Sequence, residues 1–250
     1  MLSRTFVVAT TLLCAAAASA EVVYQQPPLT NGQFYKSARW GEDGSDYDEY
    51  VWDSFILPST RSITEIHWRG GFTTVTAPIT MFEIAIYRSI GGGSQPDIGF
   101  GPLVHYEFPG NAGQTPAGSS GGVAVYDYGI TLPTPFVATG GTKYWVEILA
   151  WQNGFPFWSL QAASGGNGSH FRFSEGLAMF HTITGDCAFS IVAAPLPCPS
   201  DLDHNSTVNA ADLSILLGAW GTAGAADLNG SGTVDAADLS IMLGAWGGCG

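Results

Sequence analysis

The sequence predicts a mainly β protein, an antiparallel β-sandwich of the jelly-roll kind followed by a small all-α module, and three observations lead there. Residues 21 to about 195 alternate apolar with polar positions in short runs, the period of a half-buried strand. Glycine-rich and proline-rich breakers separate those runs, as in Gly91-Gly-Gly-Ser-Gln-Pro96, Pro116-Ala-Gly-Ser-Ser-Gly-Gly122 and Gly165-Gly-Asn-Gly168, which suits many short strands in one sandwich. The last fifty or so residues switch to a helical period and are written twice.

Along the chain, residues 1–20 place Arg4 ahead of an apolar run and end on Ala18-Ser-Ala20, the pattern of a cleaved secretory signal. Export is therefore the expectation. No later apolar run is long enough to span a bilayer. The sandwich, residues 21–194, has its clearest strands at Val51–Leu57, Met81–Tyr87, Val123–Tyr128, Tyr144–Ala150 and Ala188–Val192. Pro195-Leu-Pro-Cys-Pro199 is a stiff linker into the module, residues 195–250. The net charge of −13, with no Lys or Arg after Arg172, argues against nucleic acid and against anionic membranes as partners.

The duplicate runs from Asp201 to Gly221 and again from Asp227 to Gly247. Each copy opens on a loop whose oxygen-bearing residues recur at the spacing that wraps one calcium ion with six or seven oxygens. The first set is Asp201, Asp203, Asn205, the Thr207 carbonyl, Asn209 through water, and Asp212. The second is Asp227, Asn229, Ser231, the Thr233 carbonyl, Asp235 and Asp238. Three carboxylates per loop with no nearby cationic side chain would repel one another without a metal. Two calcium ions are the expected cofactors. Gly232 stands where the loop turns sharply while the first copy has Ser206, so the first site is expected to be the weaker.

After each loop, Leu213, Leu216, Leu217 and Trp220, and then Leu239, Met242, Leu243 and Trp246, recur at i, i+3, i+4 and i+7. That is one apolar stripe per helix, and two stripes facing each other would form the module's core. A core so small needs a staple. Cys198 and Cys249 bracket the duplicate, and a bridge between them would close a loop worth ~4 kcal/mol in the chain-entropy model. Cys187, in an apolar strand pattern, reads as a buried free thiol.

With these motifs in view, the segment from Cys198 to Cys249 resembles a type I dockerin, the duplicated calcium module that docks to cohesin domains in polysaccharide-degrading assemblies. The Asp-x-(Asp/Asn)-x-(Asn/Ser) start, the Val and the closing Asp-Leu agree with that family. The resemblance implies a cohesin-like protein partner. Where the family carries hydroxyl residues, this chain has Ala210-Ala211 and Ala236-Ala237, so an apolar docking surface is expected there, joined by Ile215 and Ile241.

The sandwich shows no catalytic pattern. Glu65, Glu83, Glu107 and Glu147 are scattered singly, without the facing pair a glycosidase uses, and the histidines lack metal-ligand spacing. The acidic stretch 41–50 suits either an exposed loop or a further calcium. Trp151, Phe155, Phe157 and Trp158 form a candidate carbohydrate platform. The resulting expectation is a secreted non-catalytic adaptor with a polysaccharide-binding cargo. Its rivals are a polysaccharide hydrolase or lyase with an unfamiliar site, and an extracellular matrix protein.

Overall fold

The computed structural model describes residues 20–30, 33–40, 48–73, 78–155, 157–174, 176, 178–195, 198–205 and 207–249. Residues 1–19 of the expected secretory signal, most of the acidic stretch 41–50 and Ser206 lie outside the described residues. The fold is mainly β. One sheet has eight strands, in the order β1 (Glu21–Gln26), β15 (Phe189–Pro195), β5 (Arg61–Phe72), β11 (Trp158–Ala163) and β14 (Asp186–Cys187). To this path β2 (Phe34–Lys36) adds beside β11, β9 (Val123–Ala138) beside β5, and β8 (Thr115–Ser120) beside β9. The other sheet has seven strands, β13 (Met179–Thr184), β12 (Ser169–Ser174), β4 (Glu49–Ile56), β3 (Ala38–Trp40), β10 (Lys143–Gln152), β6 (Ile79–Arg88) and β7 (Val104–Pro109). Pairing is antiparallel except where β3 runs parallel to the end of β10.

Both sheets feed one core. Ile63, Ile66 and Trp68 of β5 and Phe189 and Ile191 of β15 meet Phe82, Ile84 and Ile86 of β6 and Tyr144, Val146 and Ile148 of β10. These are alternate positions of each strand, because successive side chains leave a strand on opposite faces, except that an irregularity between Ile63 and Glu65 returns Ile66 to the face of Ile63. The long pairing of β5 with β9 and β15 spans the sheet, so β5 organises its face. It was hidden from the strand pattern by Gly70-Gly71, which punctuates like a turn. Here glycine answers a close approach: a Cβ on Gly70 would lie 2.3 Å from Cζ2 of Trp158 and 2.5 Å from the Ser159 carbonyl oxygen.

Trp158 requires a correction to the expected carbohydrate platform. Its side chain is fully buried and packs edge-on against Phe82 at 5.0 Å and Tyr128 at 5.8 Å between ring centroids. The Asn153-Gly-Phe-Pro156 run before it reads as a surface loop, but β11 dives at once between β5 and β2 and carries the indole inward.

The outer face of the second sheet holds a further apolar cluster, in which Trp52, Tyr87, Trp145 and Phe171 are buried with Ile98 packed against them. Among the buried carboxyls of the sandwich, Asp53 and Glu147 are the most deeply enclosed of the described residues. Asp53, 2 % exposed, accepts from the Ser54 and Cys187 amides at 2.6 and 2.7 Å, yet burial outweighs those bonds and pushes its pKa up to about 7. Glu147, also 2 % exposed, accepts from the Tyr87 hydroxyl at 2.8 Å, and burial pushes it up to about 8.

A pH dependence with a definite sign follows. A carboxyl whose folded pKa lies above its unfolded value of about 4 binds its proton more tightly in the folded chain. The stabilisation is complete below the unfolded value and is lost as pH rises through about 7 for Asp53 and about 8 for Glu147. Each group costs at most about 1.4 kcal/mol per pH unit in that window. Calorimetry of the full chain at fixed calcium should therefore show the sandwich Tm falling between pH 5 and pH 8. A Tm that rises across this range would contradict the buried, protonated state of both groups.

At the C-terminus, α1 (Ala210–Gly218) and α2 (Ala236–Gly244) are nine residues each. Their core is Leu216, Met242, Val208, Val234 and Ala226, with Leu213 and Leu239 partly buried. The expected stripe is too wide. Leu217, Trp220, Leu243 and Trp246 are 46–53 % exposed, because two helices this short share one line of contact and the loop valines fill the rest. The sulfurs of Cys198 and Cys249 are bonded to each other, and both residues pack on this core. Cys187 is a buried free thiol, its pKa pushed well up by burial.

Candidate metal centre

The helices start as they do because one carboxylate serves two purposes. Asn209 and Asp235 are the N-caps, accepting from the Ala211 and Ala237 amides at 2.8 Å in both copies. The third helical residue, Asp212 or Asp238, reaches back to the cap amide at 2.9 and 2.8 Å. This reciprocal pair is a capping box, with Asp in the acceptor position. The other oxygen of the same carboxylate turns into the loop: Asp212 Oδ1 accepts from the Leu202 and Asp203 amides at 2.7 and 3.1 Å, and Asp238 Oδ1 from the Asn229 amide at 3.1 Å.

Both carboxylates are 0 % exposed and remain anionic. Burial alone would raise Asp212, but the amides of Asn209, Asp203, Leu202 and Asp212 itself outweigh it and hold the carboxyl below its usual range. For Asp238 the Asp235 amide is the largest influence, and the carboxyl is again held down.

At the head of each loop the first residue folds the chain inward. Asp201 Oδ1 and Asp203 Oδ1 both accept from the Asn205 amide at 3.1 Å. In the second copy Asp227 accepts from the amides of Ser231 at 3.0 Å and Gly232 at 2.6 Å, and Asn229 from Ser231 at 2.8 Å. Thr207 accepts through its carbonyl from the Asn209 amide nitrogen at 3.0 Å, and Thr233 through its carbonyl from the Ser231 hydroxyl at 3.1 Å.

The donor set suits a hard cation. Carboxylate oxygens of Asp201, Asp203 and Asp212 all lie within 4.8 Å of one another, close enough for three anionic ligands to share one ion. Asp201 and Asp212 are buried and Asp203 is exposed. The sulfurs of Cys198 and Cys249 also approach Asp201, but they are consumed by their own bond and offer no thiolate. The second loop has Asn229 where the first has Asp203 and Asp235 where the first has Asn209, and no such group of three carboxylates gathers there among the described residues.

The two loops are tied together through the helix exits. Val208 in β16 (Thr207–Val208) pairs with β17 (Gly247–Gly248), the segment after α2. Val234 donates to the Thr222 carbonyl at 2.8 Å and accepts from Gly221 at 2.9 Å, in the segment after α1. Each loop is thus closed by the other copy's helix exit. The loops also differ in a way that hydrophobic patterning does not register. Gly230, fourth in the second loop, has φ +70°, and its counterpart His204 has φ +60°, a left-handed conformation costly for a side chain bearing a Cβ. Gly232 has φ +94° at the sharp turn.

Ala210, Ala211 and Ile215, with Ala236, Ala237 and Ile241, are all exposed on the two helices. The aromatic cluster of the sandwich is assembled with a different membership from the expected one. Trp40 joins Phe155 and Phe157 at centroid distances of 4.5 and 5.8 Å. The Arg39 guanidinium lies over Trp151 at 4.4 Å and the Lys36 ammonium over Phe157 at 4.2 Å. Those two ring faces carry cations, and Phe155, 58 % exposed, is the most open ring. Of the scattered glutamates, Glu147 is sealed from solvent, and Glu83 is held by His105 and by the Trp151 indole, each at 2.9 Å.

Comparison with known proteins places part of the chain. The model of a family described as a domain of unknown function (DUF7901) matches residues 22–167. No curated protein matches the sequence. Among solved structures, a CocE/NonD family hydrolase from Staphylococcus aureus is similar with a TM-score of 0.29 at 10% identity, over 70% of this chain and 41% of that one. The chain thus spans under half the length of that hydrolase, and the likeness is too slight to bear on fold or chemistry.

Proposed function

We propose a function for a chain that belongs to the DUF7901 family: a secreted, non-catalytic adaptor whose dockerin-like module folds around two calcium ions and docks to a cohesin-like protein domain, presenting the sandwich as a carbohydrate-binding cargo. The observation that carries the docking part is a set of exposed apolar side chains repeated in both copies, on the helices and just after them. Ile215, Leu217 and Trp220 in one copy correspond to Ile241, Leu243 and Trp246 in the other, each 42–53 % exposed. These six are among fifteen exposed large hydrophobic side chains in the described residues, a concentration expected of an interaction surface. The set reaches beyond the alanines and isoleucines that the sequence suggested, to the residues just after the helices.

Calcium supports this surface indirectly. The ligand loops lead straight into the helices, so holding the loops fixes the helix starts. The expected result is binding of purified cohesin domains that requires calcium and disappears on chelation. Trp220→Ala with Trp246→Ala, at exposed positions outside the module core, should weaken binding by about 30-fold or more with the fold intact by circular dichroism. A full chain that binds none of a panel of cohesin domains in calcium would overturn the docking reading.

A further inference from the structure

The outer face of the first sheet carries a groove away from the calcium loops and from the aromatic cluster. Strand β5 presents Glu65, His67 and Arg69 on that face, since side chains two apart share a side of the sheet. The register sets them beside Val192 and Ser190 of β15 on one flank and beside Thr131, Gly129 and Asp127 of β9 on the other. Gln25 of β1 lies across from Ser190. The row through His67 is therefore Gln25, Ser190, His67 and Gly129, with small residues on either side of the imidazole.

Gly129 is required there. A Cβ at that position would stand 2.6 Å from His67 Nδ1, so the ring lies over bare backbone. Its Nε2 is 2.9 Å from Glu65 Oε2. One strand position on, Arg69 grips Asp127 with two bonds, Nε to Oδ1 at 2.6 Å and Nη2 to Oδ2 at 2.7 Å. The hollow lined by Gln25, Ser190, Glu65, His67, Arg69 and Asp127 has a volume of about 570 Å³. A second hollow of about 270 Å³ shares Glu65, His67 and Asp127 and continues over Gly113 and Thr115. Together they form a trough across the strands, of the size that holds a ligand.

We propose that this trough binds a segment of a neutral polyhydroxylated chain, an oligosaccharide. The inference rests on the reading of the sandwich as carbohydrate-binding cargo and supplies its site. Asp127 answers Arg69, and Glu65 and Glu21 add carboxylates to the lining, so the trough has nothing to attract an anion. A polyanion would meet Glu65, Asp127 and a net charge of −13. An apolar ligand would have to strip water from the Arg69–Asp127 ion pair and from the Glu65–His67 hydrogen-bonded pair without replacing their hydrogen bonds. Sugar hydroxyls donate and accept at once, and neighbouring hydroxyls match the paired donors and acceptors of a guanidinium beside a carboxylate. Both pairs are already oriented, which reduces the ordering cost of binding. The aromatic cluster is the weaker claimant because cations lie over Trp151 and Phe157.

Titration calorimetry of the full chain in calcium tests this with cellohexaose, xylohexaose, mannohexaose and laminarihexaose, and with a heparin hexasaccharide as the anionic comparison. At least one neutral hexasaccharide should bind. His67→Ala with Asp127→Ala should weaken that binding by about tenfold to a hundredfold, while Phe155→Ala leaves it unchanged. Gly129→Val, which crowds His67 from below, should weaken the same binding in a chain that retains both pairs, with its fold checked by circular dichroism. If a neutral sugar binds but only Phe155→Ala removes it, the trough is overturned and the cargo reading stands. If no neutral sugar binds, or only the heparin fragment does, both fall.

Discussion

Asp212→Ala is expected to unfold the C-terminal module while leaving the sandwich folded. The side chain accepts from the amides of Leu202, Asp203 and Asn209, and alanine would leave those donors without their acceptor. Each buried donor left unpaired costs about 1–3 kcal/mol. The module has a core of five buried side chains to set against that loss, a small reserve for any domain. The same change removes one of the three clustered carboxylates and breaks the capping box of α1. Hydrogen exchange on the full chain should show α1 and α2 losing protection together, since each loop is closed by the other copy's helix exit. Wild-type protection in both helices would mean that Asp212 is dispensable to the fold.

Much of that arrangement is legible in the sequence because the loop repeats a fixed spacing of oxygen-bearing residues and the helix repeats a fixed apolar period. The dual use of Asp212 and Asp238 is less visible: the same position closes the loop and caps the helix, and only the geometry reveals both bonds. The swapped closure of Val208 and Val234 is likewise a tertiary matter, set by which strand ends meet. In the sandwich, β4, β6 and β10 are apolar runs bounded by turn residues and can be read directly, with buried residues on both faces of the strand. β5 is masked by Gly70-Gly71, whose conformational permissiveness looks like a turn until Trp158 and β11 are placed against it. The trough is illegible for a related reason. Glu65, His67 and Arg69 are visible as alternating polar residues, but Asp127 is 58 positions from Arg69, and strand register alone brings them together.

Trp158→Ala should cost the sandwich about 3–5 kcal/mol, the range for deleting a large aromatic side chain from a packed core. The indole is fully buried between Phe82, Tyr128 and the floor made by Gly70, and nothing nearby can collapse into the space without leaving its own contacts. Gly70→Ala should act on the same spot by overpacking, at about 1–3 kcal/mol. In the two changes combined the cost should be less than the sum, since the nearest clash of the new methyl is with the indole. Thermal denaturation of the three variants measures this directly. An unchanged Tm for Trp158→Ala would restore that residue to the surface and reopen the expected aromatic platform.

Calcium uptake by the full chain decides the central claim most directly. Protein stripped with a chelator, dialysed free of it and titrated with calcium chloride in a calorimeter is expected to take up two ions per chain. The second-loop variant Asp238→Ala should take up fewer. A stripped chain that takes up no calcium, with both helices already protected from exchange, would contradict the account.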